Sequence, residues 1–144
     1  MTTLAAMQRT LAAEHAAVHV YGVLGAQSSR SAAPTLFAAI STAYAEHRAR
    51  RDVLSRAITD LGATPVAAAA SYVLPERLGT PDAVTRAARE LEDGCAATYA
   101  FLVANSVGAR RRWAVEALTN AAVRGLVFRG TPEMFPGADE YADR

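Results

Sequence analysis

Four ionisable residues occupy helical positions where an apolar core is expected: Glu14, His47, Glu92 and Glu116. Each interrupts a stripe of inward positions spaced three and four residues apart, near the middle of its predicted helix. Helices of similar length that pack side by side hold such midpoints at one height. Carboxylates and histidine at one height inside a bundle are typical of a two-iron or two-manganese site. The spacing therefore predicts a buried polar site in which iron or manganese is a candidate ligand.

The same stripes also allow a site that is held together by charge pairing alone. Arg51 follows His47 by one helical turn, and its guanidinium is predicted to form a core ion pair with Glu14 or Glu92. Such a pair needs no bound cofactor. The favoured interpretation is a non-enzymatic protein whose degenerate metal site is held by charge pairing. The alternative is an oxidoreductase or metal-handling protein that binds iron or manganese at a reduced site made of Glu14, His47 and Glu92.

The ligand set of a complete two-metal centre is only partly present. That centre needs a Glu-x-x-His pair on two helices and one further Glu on each of the others. Tyr44 stands three residues before His47, and Thr119 stands three residues after Glu116. Cys95 follows Glu92 by three residues and is expected to be a small buried core residue.

Other charged and aromatic residues are expected to be ordinary parts of the helices. His15 and His19 have the i, i+4 spacing of two metal ligands on one helix face. Their half-exposed positions on the first helix favour a role without a metal. If one of them binds a metal, His15 is the candidate. Arg48, Arg50 and Arg51 spread over different faces of the second helix and are expected to be mostly solvated, with Arg51 also weighed as the core ion-pair residue. No arrangement of serine, histidine and acid indicates a nucleophilic triad, and no catalytic residue is predicted.

The elements that must position these residues are four helices. Hydrophobic periodicity places them at about 4–27, 32–61, 81–105 and 109–128, followed by an extended tail over 129–144. Ser31 is predicted to cap the second helix. In the fourth helix the predicted inward positions are Trp113, Glu116, Asn120, Val123 and Val127. Met134 and Phe135 are expected to cover one end of the bundle.

The connections between the helices predict the topology. Short breaks join the first helix to the second and the third to the fourth, which makes each pair antiparallel. The segment 63–80 is interrupted by Pro65, Pro75 and Gly79, and it joins the second helix to the third as a long crossover. The prediction is a single all-α domain, residues 1–144, with a ferritin-like four-helix bundle.

Several segments carry a resemblance to a known family. They are Leu11-Ala-Ala-Glu-His-Ala-Ala-Val-His-Val-Tyr-Gly22, Glu46-His-Arg-Ala-Arg-Arg-Asp52, Leu91-Glu-Asp-Gly-Cys-Ala-Ala-Thr-Tyr99, the connector segment Pro-Val-Ala-Ala-Ala-Ala-Ser-Tyr72, and Phe135-Pro-Gly137. The chain resembles an uncharacterised bacterial family that is classed as a ferritin-like domain of unknown function. The resemblance covers nearly the whole chain and implies the ferritin-like bundle, with Glu14, His47 and Glu92 as its candidate site residues. It brings no established activity.

Composition excludes several classes of protein. The chain contains 34 alanines and 15 arginines but no lysine, which removes Schiff-base chemistry and the phosphate-binding loop that depends on lysine. A single cysteine excludes an internal disulfide and a multi-cysteine metal site. The net charge of +1 gives no reason to expect nucleic acid.

The remaining expectations concern location and partners. No apolar stretch reaches the roughly 20 residues of a membrane span, and the N-terminal residues lack a signal-peptide pattern, so a cytoplasmic protein without a membrane partner is expected. The alanine-rich helices predict a homodimer formed through the outward apolar residues of the first two helices, with Val20, Leu24 and Leu36 as candidates. No small-molecule substrate is predicted.

Overall fold

Four helices make up almost all of the regular structure. The computed structural model describes residues 2–138 and contains α1 (Thr3–Gln27), α2 (Pro34–Asp60), α3 (Pro81–Ala104) and α4 (Gly108–Arg129). Within these described residues there is no β-strand, so the predicted all-α class is confirmed. Each helix begins and ends within two residues of its predicted range. Positions 139–144 of the predicted tail lie outside the described residues.

The starts of α1 and α3 follow from side-chain capping. Thr2 accepts a hydrogen bond from the backbone N–H of Ala5 at the start of α1. Thr80 does the same for Ala83 at the start of α3, where Pro81 occupies the first helical position. The start of α2 differs from the prediction. Ala33, and not Ser31, is its N-cap residue, because residues 30–32 form a turn closed by the Ala33 N–H bond to the Ser29 carbonyl, and Pro34 then takes the first helical position.

The order of the helices in space follows from their shared core clusters. One cluster joins the C-terminal part of α1 to the N-terminal parts of α2 and α3 and to the C-terminal end of α4. A second cluster at the opposite end joins the start of α1 to the last turns of α2 and α3 and the start of α4. Consequently α2 and α3 begin at the same end of the molecule, and α1 and α4 run the other way.

The connector between α2 and α3 lies along α1. The side chain of Gln8 bonds to the backbone of Thr64 and Val66, with distances of 2.7 and 2.8 Å. Further along α1, the ring of His19 lies 5.2 Å from that of Tyr72. No helix forms between α2 and α3. The connector therefore spans the molecule from the end of α2 to the start of α3.

The buried face of α4 differs from the predicted one. Its buried residues are small apart from the last: Ala114, Ala117, Ala121, Gly125 and Phe128. The larger aliphatic residues that were expected inside point outward, with Val123 56% and Val127 63% exposed. Glu116 and Asn120 are exposed as well. Small side chains let α4 approach α3 closely, so packing distance, and not side-chain hydrophobicity, selects the inner face.

Two further expectations about apolar residues are wrong. Val20 and Leu24 lie in the core, 7% and 0% exposed, so they cannot form an outward dimer face, and Leu36 packs against the same cluster. Met134 and Phe135 are 78% and 64% exposed and do not cover the bundle end. Instead the tail approaches α3 at Gly137, next to Ala96.

No helix among residues 2–138 combines the length and the apolar character required to cross a lipid bilayer.

Candidate functional site: a buried polar cluster

Three of the predicted site residues meet at mid-height of the helices. Glu14 on α1, His47 on α2 and Glu92 on α3 are 1%, 0% and 0% exposed. The Nδ1 atom of His47 lies 2.7 Å from Oε2 of Glu14, and its Nε2 atom lies 3.1 Å from Oε1 of Glu92. Both ring nitrogens face carboxylate oxygens, and this arrangement is satisfied by an imidazolium that donates from both nitrogens and bridges the two acids.

Two tyrosines complete the hydrogen bonding of the carboxylates. The Tyr21 hydroxyl donates to Oε1 of Glu92 at 2.6 Å, and the Tyr99 hydroxyl donates to Oε1 of Glu14. The Tyr21 ring also stacks on the imidazole of His47, with centroids 5.2 Å apart. The result is a continuous chain of hydrogen bonds from Tyr21 through Glu92, His47 and Glu14 to Tyr99.

Two arginines supply the remaining positive charge. Arg124 on α4 donates from Nε to Oε1 of Glu92 at 2.9 Å. Arg50 on α2 is 6% exposed, and its guanidinium lies 5.2 Å above the centre of the Tyr99 ring. We call the seven residues the buried polar cluster: Glu14, Tyr21, His47, Arg50, Glu92, Tyr99 and Arg124.

The predicted ion-pair partner, Arg51, does not belong to this cluster. Its guanidinium bonds to the neighbouring Asp52 at 2.7 Å, and the Asp52 side chain is 61% exposed. Arg50, in contrast to the expectation of a solvated side chain, is buried, but it forms no ion pair with Glu14 or Glu92. The prediction of Arg51 as the core ion-pair residue is therefore wrong, and the arginine that pairs with Glu92 is Arg124.

Burial and charge shift the pKa values of the cluster in opposite directions. Burial alone would lower the pKa of His47, but its hydrogen bonds to Glu14 and Glu92 outweigh burial and raise it above 6.5. Burial would raise the pKa of Glu92, but His47, Arg124 and Tyr21 together lower it below 4.5. Both shifts favour the charged forms, so the geometry describes a paired site and not a site of neutral groups.

The tyrosine and the cysteine near the carboxylates are held in their neutral forms. Burial, followed by the charge of Glu92, raises the pKa of Tyr21. Burial, followed by the charges of Glu14 and Glu92, raises the pKa of the Cys95 thiol well above 9.0. Cys95 is therefore a buried, unreactive core residue.

The other predicted candidates do not reach the cluster. Glu116 is exposed on α4. The Nε2 atom of His15 lies 3.0 Å from the backbone oxygen of Val66 in the connector. His19 is exposed and contacts Tyr72. These residues hold the connector or face solvent.

The donor set does not fit a two-metal centre. A metal ion needs a lone pair of the histidine, whereas both nitrogens of His47 are engaged with carboxylates. Within residues 2–138, no group of three or more histidine, cysteine, aspartate and glutamate side chains is arranged to hold a metal ion. Arg50 and Arg124 occupy the surroundings in which further ligands would have to stand, and a guanidinium cannot ligate.

Arg50 and Arg124 are the residues of the buried polar cluster that the hydrophobic periodicity of the helices did not predict to face inward. In α2, both Arg50 and Arg51 lie one turn after His47, so spacing alone does not decide which of them turns inward. In α4 a usable signal exists. Arg124 follows Ala117 by two turns, and the small residues of that stripe mark the buried face.

Comparison with known proteins identifies a family and a related structure. The sequence matches the family described as a domain of unknown function (DUF4439) over residues 6–140. The crystal structure of a conserved hypothetical protein from Mycobacterium tuberculosis is similar, with a TM-score of 0.80 and 30% sequence identity over 89% of this chain and 88% of the other. No curated protein matches the sequence. Because the family match spans nearly the whole of the four helices and their connector, the chain belongs to the DUF4439 family.

Proposed function

We propose that this protein is a ferritin-like bundle that works without a resident metal, with the buried polar cluster in the place of a carboxylate-bridged metal centre. The topology supports the assignment to a ferritin-like bundle. In a ferritin-like bundle one long crossover joins two parallel helices. Here α2 and α3 begin at the same end, and the connector follows α1 between them.

The two hydrogen bonds of His47 support the proposal that the buried polar cluster stands in the place of a metal centre. Glu14 and Glu92 are held by a protonated imidazole, two phenols and the guanidinium of Arg124. The imidazolium and the guanidinium take the place of metal ions, because they compensate carboxylates that are removed from water, and the two neutral phenols add hydrogen bonds. The cluster then serves the fold by fixing the register of the four helices.

Metal analysis of protein purified without a histidine tag tests this proposal. We expect iron, manganese and zinc well below one equivalent per chain, and a Tm that neither EDTA nor added Mn²⁺ or Fe²⁺ changes. One equivalent of bound metal, together with a rise in Tm that is lost in His47→Gln, would contradict it. His15→Gln is the matched control, since His15 lies outside the cluster.

A reduced metal site made of Glu14, His47 and Glu92 is the second candidate. One observation favours it: Oε2 of Glu92 is buried without a hydrogen-bond partner among the described residues and has lone pairs to offer. Binding would require His47 to lose a proton and turn away from one carboxylate. The metal analysis decides between the two candidates.

The protein's role outside the cluster is proposed to be non-enzymatic and to depend on surface contacts, including self-association. Val115, Val123 and Val127 recur on one outer face of α4 and are 45%, 56% and 63% exposed. This face replaces the predicted α1–α2 face as the proposed dimer contact. Light scattering should give a dimer mass that Val123→Glu reduces to a monomer mass. Val73→Glu, at a 96% exposed connector position, should leave the mass unchanged.

A further inference from the structure

Arg50 and Arg124 carry hydrogen-bond donors that the protein does not satisfy. Both terminal nitrogens of Arg50 and Nη2 of Arg124 are buried without a hydrogen-bond partner among the described residues. Arg50 is 6% exposed, and the side chain of Arg124 is 12% exposed, so bulk water does not solvate these atoms. A buried donor without an acceptor costs about 1–3 kcal/mol, and more when it is charged.

The nearby acceptors are too few to satisfy these donors. Each terminal guanidinium nitrogen carries two N–H groups, and three such nitrogens are unpartnered. The unpartnered acceptor of the cluster is a single oxygen, Oε2 of Glu92, which has only two lone pairs. Even if that oxygen turned toward an arginine, donors would remain. The site therefore lacks an acceptor-rich partner.

The two arginines extend from helices whose backbones do not pack closely against each other. Close backbone packing joins α1 to α2 and α3, and α3 to α4, whereas α2 and α4 barely approach each other within the described part of the chain. Arg50 extends from α2 and Arg124 from α4. They lie close enough that, after burial, the charge of Arg124 is the largest influence that lowers the pKa of Arg50. The ring of Tyr99 stacks beneath the Arg50 guanidinium and restricts its motion.

We propose that Arg50 and Arg124 form a binding site for a small oxyanion, a carboxylate or phosphate group, between α2 and α4. Guanidinium groups present paired N–H donors that match two oxygens of such an anion. The site goes beyond the proposed metal-free cluster and rests on it, because a metal at His47 would change the charges around both arginines.

The charge of the cluster admits an anion. Glu14 and Glu92 contribute two buried negative charges, which Arg124 and the bridging His47 already face directly. Glu46 is a third carboxylate whose charge acts on Arg50, but it is exposed, so water screens it. Arg50 makes no hydrogen bond to either carboxylate through its terminal nitrogens and adds a further positive charge. A monovalent oxyanion beside Arg50 would balance the site.

Thermal unfolding of the full chain with anions tests the proposal. Inorganic phosphate, acetate and chloride are titrated separately at constant ionic strength, with EDTA present throughout. We expect saturable stabilisation by phosphate or by acetate but not by chloride, with Tm raised by roughly 5–10 °C at about one hundred times the dissociation constant. The anion that saturates at the lower concentration identifies which oxyanion chemistry the site prefers.

Matched variants locate the effect. Arg50→Gln should abolish the saturable shift, whereas Arg56→Gln, an exposed position on the same helix, should retain it. Calorimetric titration of the unmutated chain with the stabilising anion gives a second measurement that does not depend on how well Arg50→Gln folds. Three results would overturn the proposal: a shift no larger than that of chloride, a shift that Arg50→Gln retains, or one that appears only when a divalent metal replaces EDTA. Since metal content is measured separately, failure here is distinguishable from failure of the metal-free cluster.

Discussion

Removing the guanidinium of Arg124 is the most informative single perturbation of the cluster. In Arg124→Met the aliphatic stem is largely preserved, but Glu92 loses the donor at 2.9 Å and remains fully buried. Breaking a buried charge pair by removing one partner costs about 3–5 kcal/mol. His47 and Tyr21 still donate to the same oxygen of Glu92, so we expect the lower end, about 3 kcal/mol. For a chain of this size that loss lowers Tm by roughly 10 °C.

Urea denaturation followed by circular dichroism measures this loss. The control is Arg51→Met, which removes an arginine whose side chain is 27% exposed and whose partner Asp52 is 61% exposed. It should change the free energy of unfolding by no more than about 0.5 kcal/mol. Adding Glu92→Gln to Arg124→Met should recover part of the loss, because the stranded charge disappears. Equal losses for Arg124→Met and Arg51→Met would refute the assignment of Arg124 as the core partner.

Three further predictions concern the hydroxyl of Tyr99, the pH dependence of stability and the contact of the tail with α3. Tyr99→Phe removes the hydroxyl that donates to Glu14 and should lower the free energy of unfolding, measured by urea denaturation, by about 1.5–3 kcal/mol. The control is Tyr72→Phe, which removes a hydroxyl that accepts a bond in the exposed connector and should cost less than about 1 kcal/mol. Equal costs for the two variants would contradict the buried bond. The pKa of His47 is raised above 6.5, so its stabilising contribution is complete below pH 6.5 and is lost as pH rises through its folded pKa. The pKa of Glu92 is lowered below 4.5, so its stabilising contribution is complete above pH 4.5 and is lost as pH falls through its folded pKa. Together His47 and Glu92 favour maximal stability between pH 4.5 and pH 6.5. A stability profile of His47→Gln that keeps the full alkaline decline would disprove the assignment of that decline to His47. Gly137→Ala should lower Tm, because the φ of Gly137 is +83° and an added Cβ would lie 2.7 Å from the backbone oxygen of Ala96. The control is Gly79→Ala, whose added Cβ meets no atom within 4 Å. Equal Tm values for the two variants would contradict the docking of the tail on α3.

The sequence predicts the helices and the carboxylate–histidine core, because both depend on periodicity along single helices. Glu14, His47 and Glu92 occupy stripes whose neighbours are strongly apolar, so their inward orientation follows from spacing. The neighbours Arg50 and Arg51 show where this reasoning ends. Both lie one turn from His47, and only the three-dimensional position of Tyr99 and the cluster selects Arg50.

The inner face of α4 depends on contacts between helices and is therefore not readable from hydrophobicity alone. Val123 and Val127 are more apolar than Ala117 and Ala121, yet the alanines are buried. Close approach to α3 requires small side chains, and the resulting rotation of α4 carries Arg124 to Glu92. Helix spacing thus decides both the buried face and the identity of the ion-pair partner.

Nitrogen NMR of the His47 imidazole tests the central claim most directly. The chain has three histidines, and His47→Gln assigns the signal. A metal-free, charge-paired cluster predicts that at neutral pH both ring nitrogens of His47 carry protons and that neither EDTA nor Zn²⁺ changes their shifts. A neutral ring with one unprotonated nitrogen, or a nitrogen shift that follows added Zn²⁺ to one equivalent, would contradict it.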